Sequence, residues 1–578
     1  MSSMLMPLEK CRSGFKWSIS DLLFAGLLFL IVLLSYTSSR QESVTIDEFR
    51  HLSTGVHYWQ SGDYSFDGAT PPLWKMAMAL PAYLAGAKTV QFRQMPEIAA
   101  GWEPWFVATD FMRDNAAAYT GYLQSARMVN LLAAAACLVL LYCRCRGSFG
   151  PGAALFGSAF LALSPTFLAH SHYATTDVIA TLTLTIVVFL LIDYLQKPGP
   201  GRLACAALLF AISLLCKFTA LLVSPLMLIV PLLVALERKG EAAGIRQRLL
   251  PVVVSLAKSL LLVTVTLLLT VNIFYGFRGT GTPLGQMHLE SRALSALGQS
   301  AAGALPIPLP RAFVEGFDRQ KADSDFSEFP AYFMGRWSVD GFRSYYLAAF
   351  CIKESIPFLL LLAAALLVLV CQRGRPLSRV ELLLLFYVPL TLFLVLSCMN
   401  RLNVGVRYLL PAYPFLCLFI ARLHGSVKGW RGARLVLLLL IVLHSVSVLR
   451  ISPHYTSYFN ELVGGAANGY RHLIDSNIDW GQDLPSLKKF MTEHGIAKVQ
   501  LAYFGHGLPE FYGIDYEPLL LPAKPGYTAV SVSLLQGHPY LLTYLDQPQI
   551  AEADQFRAMR TMQPVGRAGY SIMIYKID

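Results

Sequence analysis

The chain has few charged residues, and its outward segments contain no cysteine. Asp, Glu, Lys and Arg make up only 14% of the 578 residues, too few for a soluble globular protein of this length. The ten cysteines lie in hydrophobic segments or near their flanks, so disulfides are not expected to stabilise the outer parts. Walker, GxSxG, HExxH and Rossmann motifs are also missing. Nothing therefore indicates a soluble nucleotide substrate, and a group donor would have to arrive through the membrane.

Long hydrophobic segments dominate instead. Hydrophobic residues make up 55% of the chain, and the mean hydropathy is +0.50. Eleven segments are long enough to span about 30 Å of hydrocarbon: 17–37, 127–143, 152–170, 176–194, 202–216, 219–236, 251–275, 346–371, 380–398, 405–423 and 433–449. Spans five and six, separated at Lys217, could alternatively form one long buried helix. We interpret the first segment as a retained signal-anchor, with a cleaved signal peptide as the alternative.

The net charge of +11 reflects membrane topology and does not indicate nucleic-acid binding. Basic clusters occupy alternate loops between the spans, which is the positive-inside pattern. These clusters are Lys10, Arg12 and Lys16; Arg144 and Arg146; Arg238, Lys239, Arg246 and Arg248; Arg373, Arg375 and Arg379; and Lys428, Arg431 and Arg434. The N-terminus is thus predicted in the cytoplasm and, with an odd number of spans, the C-terminus outside.

Composition divides the chain into a membrane part, residues 1–450, and a C-terminal region, residues 451–578. The membrane part has two long outside loops, 38–125 and 276–344, and the first should contain helices beside the membrane. The C-terminal region is predicted to hold a helix at 483–494 and strands at 498–504, 528–534 and 570–577. The predicted fold class is a polytopic α-helical membrane protein of about eleven spans with a small C-terminal α/β domain.

The first outside loop opens with a motif that predicts a helix with two different sides. Thr45 and Glu48 have the spacing of a capping box. Beyond them the residues repeat at spacings of three and four, with Phe49, Leu52, Val56 and Trp59 on the apolar side and Asp47, Arg50, His51 and Thr54 on the polar side. We expect this helix to lie on the bilayer surface with Asp47 within reach of a lipid head group.

A second outward carboxylate, Asp177, begins span four after His170 and His172. An Asp at the start of a span is often only a cap, but Asp177 is predicted on the same membrane side as Asp47. The two histidines are one residue apart and would point away from each other on a helix, so they do not predict a metal site.

Four cations lie at the predicted outer boundary of hydrophobic segments: Lys75, Lys217, Lys353 and Arg407. Each one alone could place its charge in water beside the membrane. Together they are typical of a cavity that binds a phosphate group.

These motifs resemble the GT-C superfamily of polyprenyl-phosphate-sugar-dependent glycosyltransferases, above all the protein O-mannosyltransferase and aminoarabinose-transferase branch. The likeness covers residues 17–450 and is carried by Asp47-Glu48-x-Arg50, Pro71-Pro72-Leu73-x-Lys75, Asp177 and Gly405-Val406-Arg407-Tyr408-Leu409-Leu410-Pro411. The segment 475–483 resembles an outside domain of bacterial members. The resemblance implies a plasma-membrane enzyme whose partners are a polyprenyl-phosphate sugar and a protein, lipid or glycan acceptor.

The resemblance also implies roles for individual residues. Asp47 would be the general base of an inverting transfer, with Glu48 and Asp177 completing the catalytic group. Asp177 would position the acceptor or complete a site for a divalent cation, and no other cofactor or metal is implied. The residues expected to hold the donor phosphate are Arg50, Lys75, Lys217, Lys353 and Arg407, and those expected to contact the acceptor or the sugar are His51, His172 and Tyr346.

Departures from the branch leave the acceptor open. Thr70 stands where the mannosyltransferases usually have a histidine before the paired prolines, and the C-terminal region replaces their large middle insert. A transporter or flippase for lipid-linked glycans is one alternative. A sensory or scaffold protein is another, because Asp475, Asp479 and Asp483 are spaced by four and could form a binding site, although a solvated helix face is the simpler interpretation.

Overall fold

The structure is a computed structural model and describes residues 17–90, 102–237, 245–326, 330–371, 378–427 and 430–578. Several residues that supported the topology prediction lie outside the described residues: Lys10, Arg12, Lys16, Arg238, Lys239, Arg373, Arg375 and Lys428.

Helices make up most of the described chain. In chain order they are α1 (Ile19–Ser39), α2 (Ile46–Ser61), α3 (Pro72–Leu84), α4 (Glu103–Asp114), α5 (Tyr119–Phe149), α6 (Pro151–Ala162), α7 (Pro165–His172), α8 (Asp177–Gln196), α9 (Pro200–Cys216), α10 (Ser224–Glu237), α11 (Ile245–Phe274), α12 (Arg292–Gly298), α13 (Arg311–Phe326), α14 (Tyr345–Lys353), α15 (Ile356–Val370), α16 (Arg379–Cys398), α17 (Tyr413–Ser426), α18 (Arg431–Leu449), α19 (Leu484–Glu493) and α20 (Val532–Leu535).

The predicted spans coincide with helices one by one. Among the described residues, seven helices are long and apolar enough to cross a membrane. Two further predicted spans are helix pairs, α6 with α7 and α14 with α15, bent by 68° and 115° respectively. The last two correspond to the shorter apolar helices Pro200–Cys216 and Leu382–Cys398. The chain is a multi-pass membrane protein, as its hydropathy predicted.

Predicted spans five and six are separate helices, so they do not form the one long buried helix that was the alternative. Lys217 has an extended backbone (φ −159°, ψ 131°) between α9 and the 3-10 helix Phe218–Val223, which continues into α10. A second irregular start precedes α17, where the 3-10 helix Val406–Ala412 follows an extended Gly405. Both breaks place a cation beside an interrupted helix.

Helix α3 of the first outside loop contains a proline. It begins with the paired prolines, and Pro81 lies inside it. A proline at this position leaves only one backbone hydrogen bond unmade, and packing of α3 against α2 maintains the helix. The second outside loop contains the helices α12 and α13.

The C-terminal region contains the predicted α/β arrangement. Its strands are β3 (Val499–Ala502), β4 (Tyr516–Pro518), β5 (Gly526–Ser531), β6 (Tyr540–Leu542), β7 (Gln549–Ala551), β8 (Gly566–Ala568) and β9 (Ile572–Ile577), after the hairpin of β1 (Ala331–Phe333) and β2 (Arg336–Ser338) in the second outside loop. The main sheet has the order β4-β3-β5-β9-β8. β3 is parallel to β4 and β5, whereas β9 is antiparallel to β5 and β8.

The C-terminal region packs directly on the membrane part. The Ser43 and Ile46 N–H groups, just before and at the start of α2, donate to the Gln482 and Trp480 carbonyls at 2.9 and 3.1 Å. Apolar side chains of both parts join one hydrophobic core. The start of α2 is therefore fixed by the C-terminal region.

Gly405 provides a test of this packing. A Cβ at residue 405 would overlap the Ser476 hydroxyl, which donates to the Val404 carbonyl at 2.7 Å. We expect Gly405→Ala to destabilise the protein by about 1–3 kcal/mol, since overpacked contacts must shift, and to lower its Tm in detergent.

The matched control is Gly26→Ala in α1, where a Cβ meets nothing within 4 Å. Adding Ser476→Ala to Gly405→Ala should restore part of the Tm, because it removes the overlapping oxygen. An unchanged Tm for Gly405→Ala alone would contradict this packing.

Candidate active site

Helix α2 begins where predicted and is more deeply buried than its amphipathic pattern suggested. The capping box of Thr45 and Glu48 is present, and the Thr45 N–H donates to the Glu48 carboxylate at 3.0 Å. On the apolar side Trp59 is exposed and the other three residues are buried, and His51 and Thr54 on the polar side are buried too. Helices α3 and α4 of the first outside loop pack against α2. Its position relative to the bilayer surface stays a prediction.

Four side chains from distant parts of the chain form what we call the charge cluster: Asp47, Asp177, Lys217 and Arg407. One Arg407 nitrogen, Nη1, lies 2.5 Å from Asp47 Oδ2 and 3.4 Å from Asp177 Oδ2. Lys217 Nζ lies 2.5 Å from the other Asp177 oxygen. The two negative charges of the carboxylates thus balance the two positive charges of the cations at a largely buried position.

Aromatic rings surround the cations of the cluster. The Arg407 guanidinium lies 4.3 Å from the centre of the Trp480 ring, and Lys217 Nζ lies 5.1 Å from that of Tyr408. Such contacts stabilise a cation that has lost water. Trp480 belongs to the C-terminal region and was not predicted as a site residue, because nothing local links it to residue 407.

Asp47 is held in its charged form. Burial disfavours the carboxylate, but the attraction of Arg407, assisted by His51 and Arg50, outweighs burial and lowers the pKa of Asp47. His51 is the opposite case, because burial lowers its pKa to about 4. Its Nδ1 lies 3.4 Å from the Ala174 carbonyl, and its Nε2 is buried without a hydrogen-bond partner among the described residues.

A second ion-pair group lies beside the first and centres on Asp67. Arg50 Nη1 and Lys75 Nζ contact its two carboxylate oxygens at 2.7 and 2.8 Å. Burial lowers the pKa of Lys75 to about 8 despite this partner. Asp67 was not predicted; the only local signal was an Asp-Gly turn ahead of the paired prolines.

Glu48 has a structural position and does not line the cavity. Arg127 donates to both of its oxygens at 2.8 and 2.7 Å, and the Ala174 N–H adds a third bond at 2.8 Å. Both side chains are fully buried. Grouping Glu48 with Asp47 as catalytic is not supported, since neighbouring helix residues point about 100° apart.

Three other predicted contacts also lie away from the cavity. Lys353 Nζ donates to the Thr456 and Asn477 carbonyls at 2.7 and 2.5 Å. His172 Nε2 lies 2.7 Å from a Glu42 oxygen, and the Tyr346 hydroxyl donates to the Leu402 carbonyl at 2.9 Å. Each polar group is used within the protein, so these placements do not fit a role in binding the donor or acceptor.

The remaining predicted residues surround a cavity of about 850 Å³. Of these, Asp47, Arg50, His51, Lys217 and Arg407 line it directly. Asp177 lies behind Lys217 and Arg407, and Lys75 lies behind Asp67.

The cavity wall has three parts of different chemistry. Membrane helices supply apolar side chains, Phe218, Leu221, Leu222, Val395 and Leu396. The charge cluster follows, and the outer wall carries Trp102, Trp105, Asp475, His506 and Tyr540, of which the sequence indicated only Asp475. The cavity thus joins a membrane-facing part to the C-terminal region.

The acidic series in the C-terminal region does not form a solvated helix face. Asp479 and Asp483 are buried and accept hydrogen bonds from the Ser533 N–H at 2.9 Å and the Ser571 hydroxyl at 2.9 Å. Asp475 lies in a turn that lines the cavity, where burial raises the pKa of its carboxyl to about 6. In the described part of the chain, no three His, Cys, Asp or Glu side chains converge to hold a metal ion.

The helices define a polytopic membrane protein, and its charged site lines a cavity between the apolar helices and the C-terminal region. Residues 120–273 match the family described as Dolichyl-phosphate-mannose-protein mannosyltransferase, and this segment includes Asp177 and Lys217. Over this segment the match agrees with the predicted resemblance to the GT-C superfamily. No curated protein matches the sequence significantly.

Two solved structures are similar in overall arrangement, both of ArnT from Cupriavidus metallidurans at 12% identity. The apo structure matches with a TM-score of 0.44, and the match covers 96% of this chain and 98% of that chain. The structure bound to undecaprenyl phosphate has a TM-score of 0.41, with 96% and 97% covered. At this low similarity the roles of the site residues are inferred from the contacts within this chain.

The Glu48–Arg127 pair gives a prediction for the site's scaffold. Glu48→Gln should destabilise the protein by about 3–5 kcal/mol, because it leaves a buried guanidinium without its counter-charge. The measurement is thermal unfolding of the purified protein in detergent.

Glu493→Gln is the matched control, since its pair with Lys489 is exposed and such pairs contribute about 0–1 kcal/mol. Equal Tm values for Glu48→Gln and the control would show that Glu48 is not structural.

Proposed function

We propose that the protein is an inverting glycosyltransferase that moves a sugar from a polyprenyl-phosphate donor to an acceptor hydroxyl on the outer face of the membrane. One observation carries the proposal: Arg407 is shared between two carboxylates inside a cavity that continues into the membrane helices. We further propose a bacterial plasma-membrane location, with the N-terminus in the cytoplasm and the C-terminal region outside.

Arg407 and Lys217 are the groups that would bind the donor phosphate. Both line the cavity, and Arg407 Nε is buried without a hydrogen-bond partner among the described residues. A guanidinium offers several donors in one plane and suits phosphate oxygens. The apolar side chains of Leu221, Leu222 and Leu396 continue from this point, so they can receive the prenyl chain.

Asp47 is the proposed general base. Its carboxylate removes the proton of the acceptor hydroxyl as the oxygen attacks the anomeric carbon from the face opposite the phosphate. The bond from that carbon to the phosphate oxygen breaks, and its electron pair leaves with the polyprenyl phosphate. Arg407 and Lys217 stabilise the charge on the departing phosphate. Asp177 positions both cations from behind.

The donor itself would activate this base. While Arg407 pairs with Asp47, it lowers the pKa of Asp47 and makes the carboxylate a weak proton acceptor. A bound phosphate would compete for the guanidinium and add a negative charge nearby. Both effects raise the proton affinity of Asp47 only when a donor is present.

The role of Asp47 is tested by Asp47→Asn in proteoliposomes supplied with polyprenyl-phosphate sugars. Transfer should fall by about 10²–10⁴-fold, the usual contribution of a general base. Binding of polyprenyl phosphate should be retained and become several-fold tighter, because the competing anion has been removed.

Arg407→Ala should have the opposite profile, with weak polyprenyl-phosphate binding, and Arg450→Ala is a matched control because Arg450 is exposed at the end of α18. Full transfer by Asp47→Asn would remove the proposed base. A flippase would instead move the lipid-linked sugar across the bilayer without cleaving it, in the wild-type protein.

A further inference from the structure

Two tryptophans, with ring planes inclined by 52°, form an aromatic surface on the outer wall of the cavity. Trp102 and Trp105 lie three residues apart at the start of α4, so they share one side of the helix. Their ring centres are 5.2 Å apart, both are half-buried, and both line the cavity. We call this pair the indole platform.

The C-terminal region holds the platform in place. The His506 ring lies 5.9 Å from Trp102 and 5.6 Å from Trp105, and Tyr540 lies 5.9 Å from Trp102. His506 is fixed through both ring nitrogens, to the Thr543 and Tyr540 hydroxyls at 2.6 Å each. A platform supported in this way needs little ordering when a ligand binds.

The platform adjoins the proposed reaction centre. The Arg50 guanidinium lies 5.0 Å from the centre of the Trp105 ring. Arg50 follows Asp47 by three residues on α2, and such side chains are about 5–6 Å apart at Cβ. A group resting on the indoles therefore lies within one ligand length of the Asp47 carboxylate.

Two buried ring nitrogens at this wall are unpaired among the described residues. They are the Trp105 indole N–H, which is a donor, and His51 Nε2, which is an acceptor when Nδ1 donates to the Ala174 carbonyl. His51 is only 3% exposed and lines the cavity. Buried polar atoms are normally paired, so atoms left unpaired beside a cavity indicate a ligand that carries oxygen atoms.

We propose that the indole platform is the acceptor subsite and that the acceptor is a saccharide, an inference that rests on the proposed function. A sugar ring has a face of C–H bonds, which suits the electron-rich face of an indole. Its hydroxyls can satisfy the two unpaired nitrogens. The prenyl chain of the donor needs only apolar contacts and has them on the membrane side of the charge cluster, so it does not explain the polar atoms here.

The subsite is tested by saturation-transfer NMR on the full-length protein in detergent, with polyprenyl phosphate present. The probes are methyl glycosides of glucose, galactose and N-acetylglucosamine, and N-acetylthreonine methylamide as the peptide analogue. We expect at least one glycoside to bind. Trp105→Leu should weaken its binding about tenfold, with Trp105→Phe intermediate because a ring remains.

Trp430→Leu is the matched control, since Trp430 is 71% exposed and does not line the cavity. It should bind glycosides as the wild-type protein does. Unchanged polyprenyl-phosphate binding by Trp105→Leu would show that the variant is folded. If the wild-type protein itself did not bind polyprenyl phosphate, that result would count against the proposed function and not against the saccharide subsite.

Three results would overturn the saccharide subsite. The first is equal glycoside affinity in Trp105→Leu and wild-type protein. The second is no glycoside binding by wild-type protein up to tens of millimolar. The third is Trp105-dependent binding of the threonine analogue in preference to every glycoside, which would indicate a polypeptide acceptor.

Discussion

The pairing of Arg407 with two carboxylates is the interaction on which the site depends. Removing charges from water is costly unless each finds a partner. Within the charge cluster, Arg407 contacts Asp47 and Asp177, and Lys217 contacts Asp177, so two positive and two negative charges balance. Residues 360 positions apart in the chain are joined in this way. An incoming phosphate would disturb this balance, which makes the cluster responsive to the donor.

The members of the cluster all lie where a helix starts or is interrupted. Asp47 and Asp177 lie in the first turns of α2 and α8, where the helix dipole favours negative charge. Lys217 and Gly405 have extended backbones before 3-10 helices. The two helix starts and the two interrupted helices thus bring the four charges to one cavity.

Sequence reasoning succeeded where the signal is local. Hydropathy located the apolar helices, of which seven to nine among the described residues could cross a membrane, and the capping box located the start of α2. It also selected Asp47 and Arg407, because charges beside a span are unusual. The sequence could not show that Lys217 lines the cavity and Lys353 does not. Both lie at the ends of hydrophobic segments, but the carbonyls that bind Lys353 come from Thr456 and Asn477, more than a hundred residues away.

The remaining site residues could not be found locally, because the C-terminal region completes the cavity only in the folded chain. His506 and Tyr540 have no recognisable motif around them, and the resemblance of segment 475–483 gave Trp480 no role in the site. Each of the three packs on a residue from another part of the chain. Packing also buries His51 and Thr54 on the polar side of α2, which its amphipathic pattern did not predict. A helix at the membrane surface and a helix covered by other segments have the same periodicity, so only the folded structure distinguishes them.

If the donor phosphate takes Arg407 from Asp47, an electron-microscopy structure of the full chain with bound polyprenyl phosphate will show the exchange. We expect phosphate density within hydrogen-bond distance of Arg407 and Lys217, with the Arg407–Asp47 contact lengthened beyond about 4 Å. A phosphate bound elsewhere, with the contact still at 2.5 Å, would contradict it.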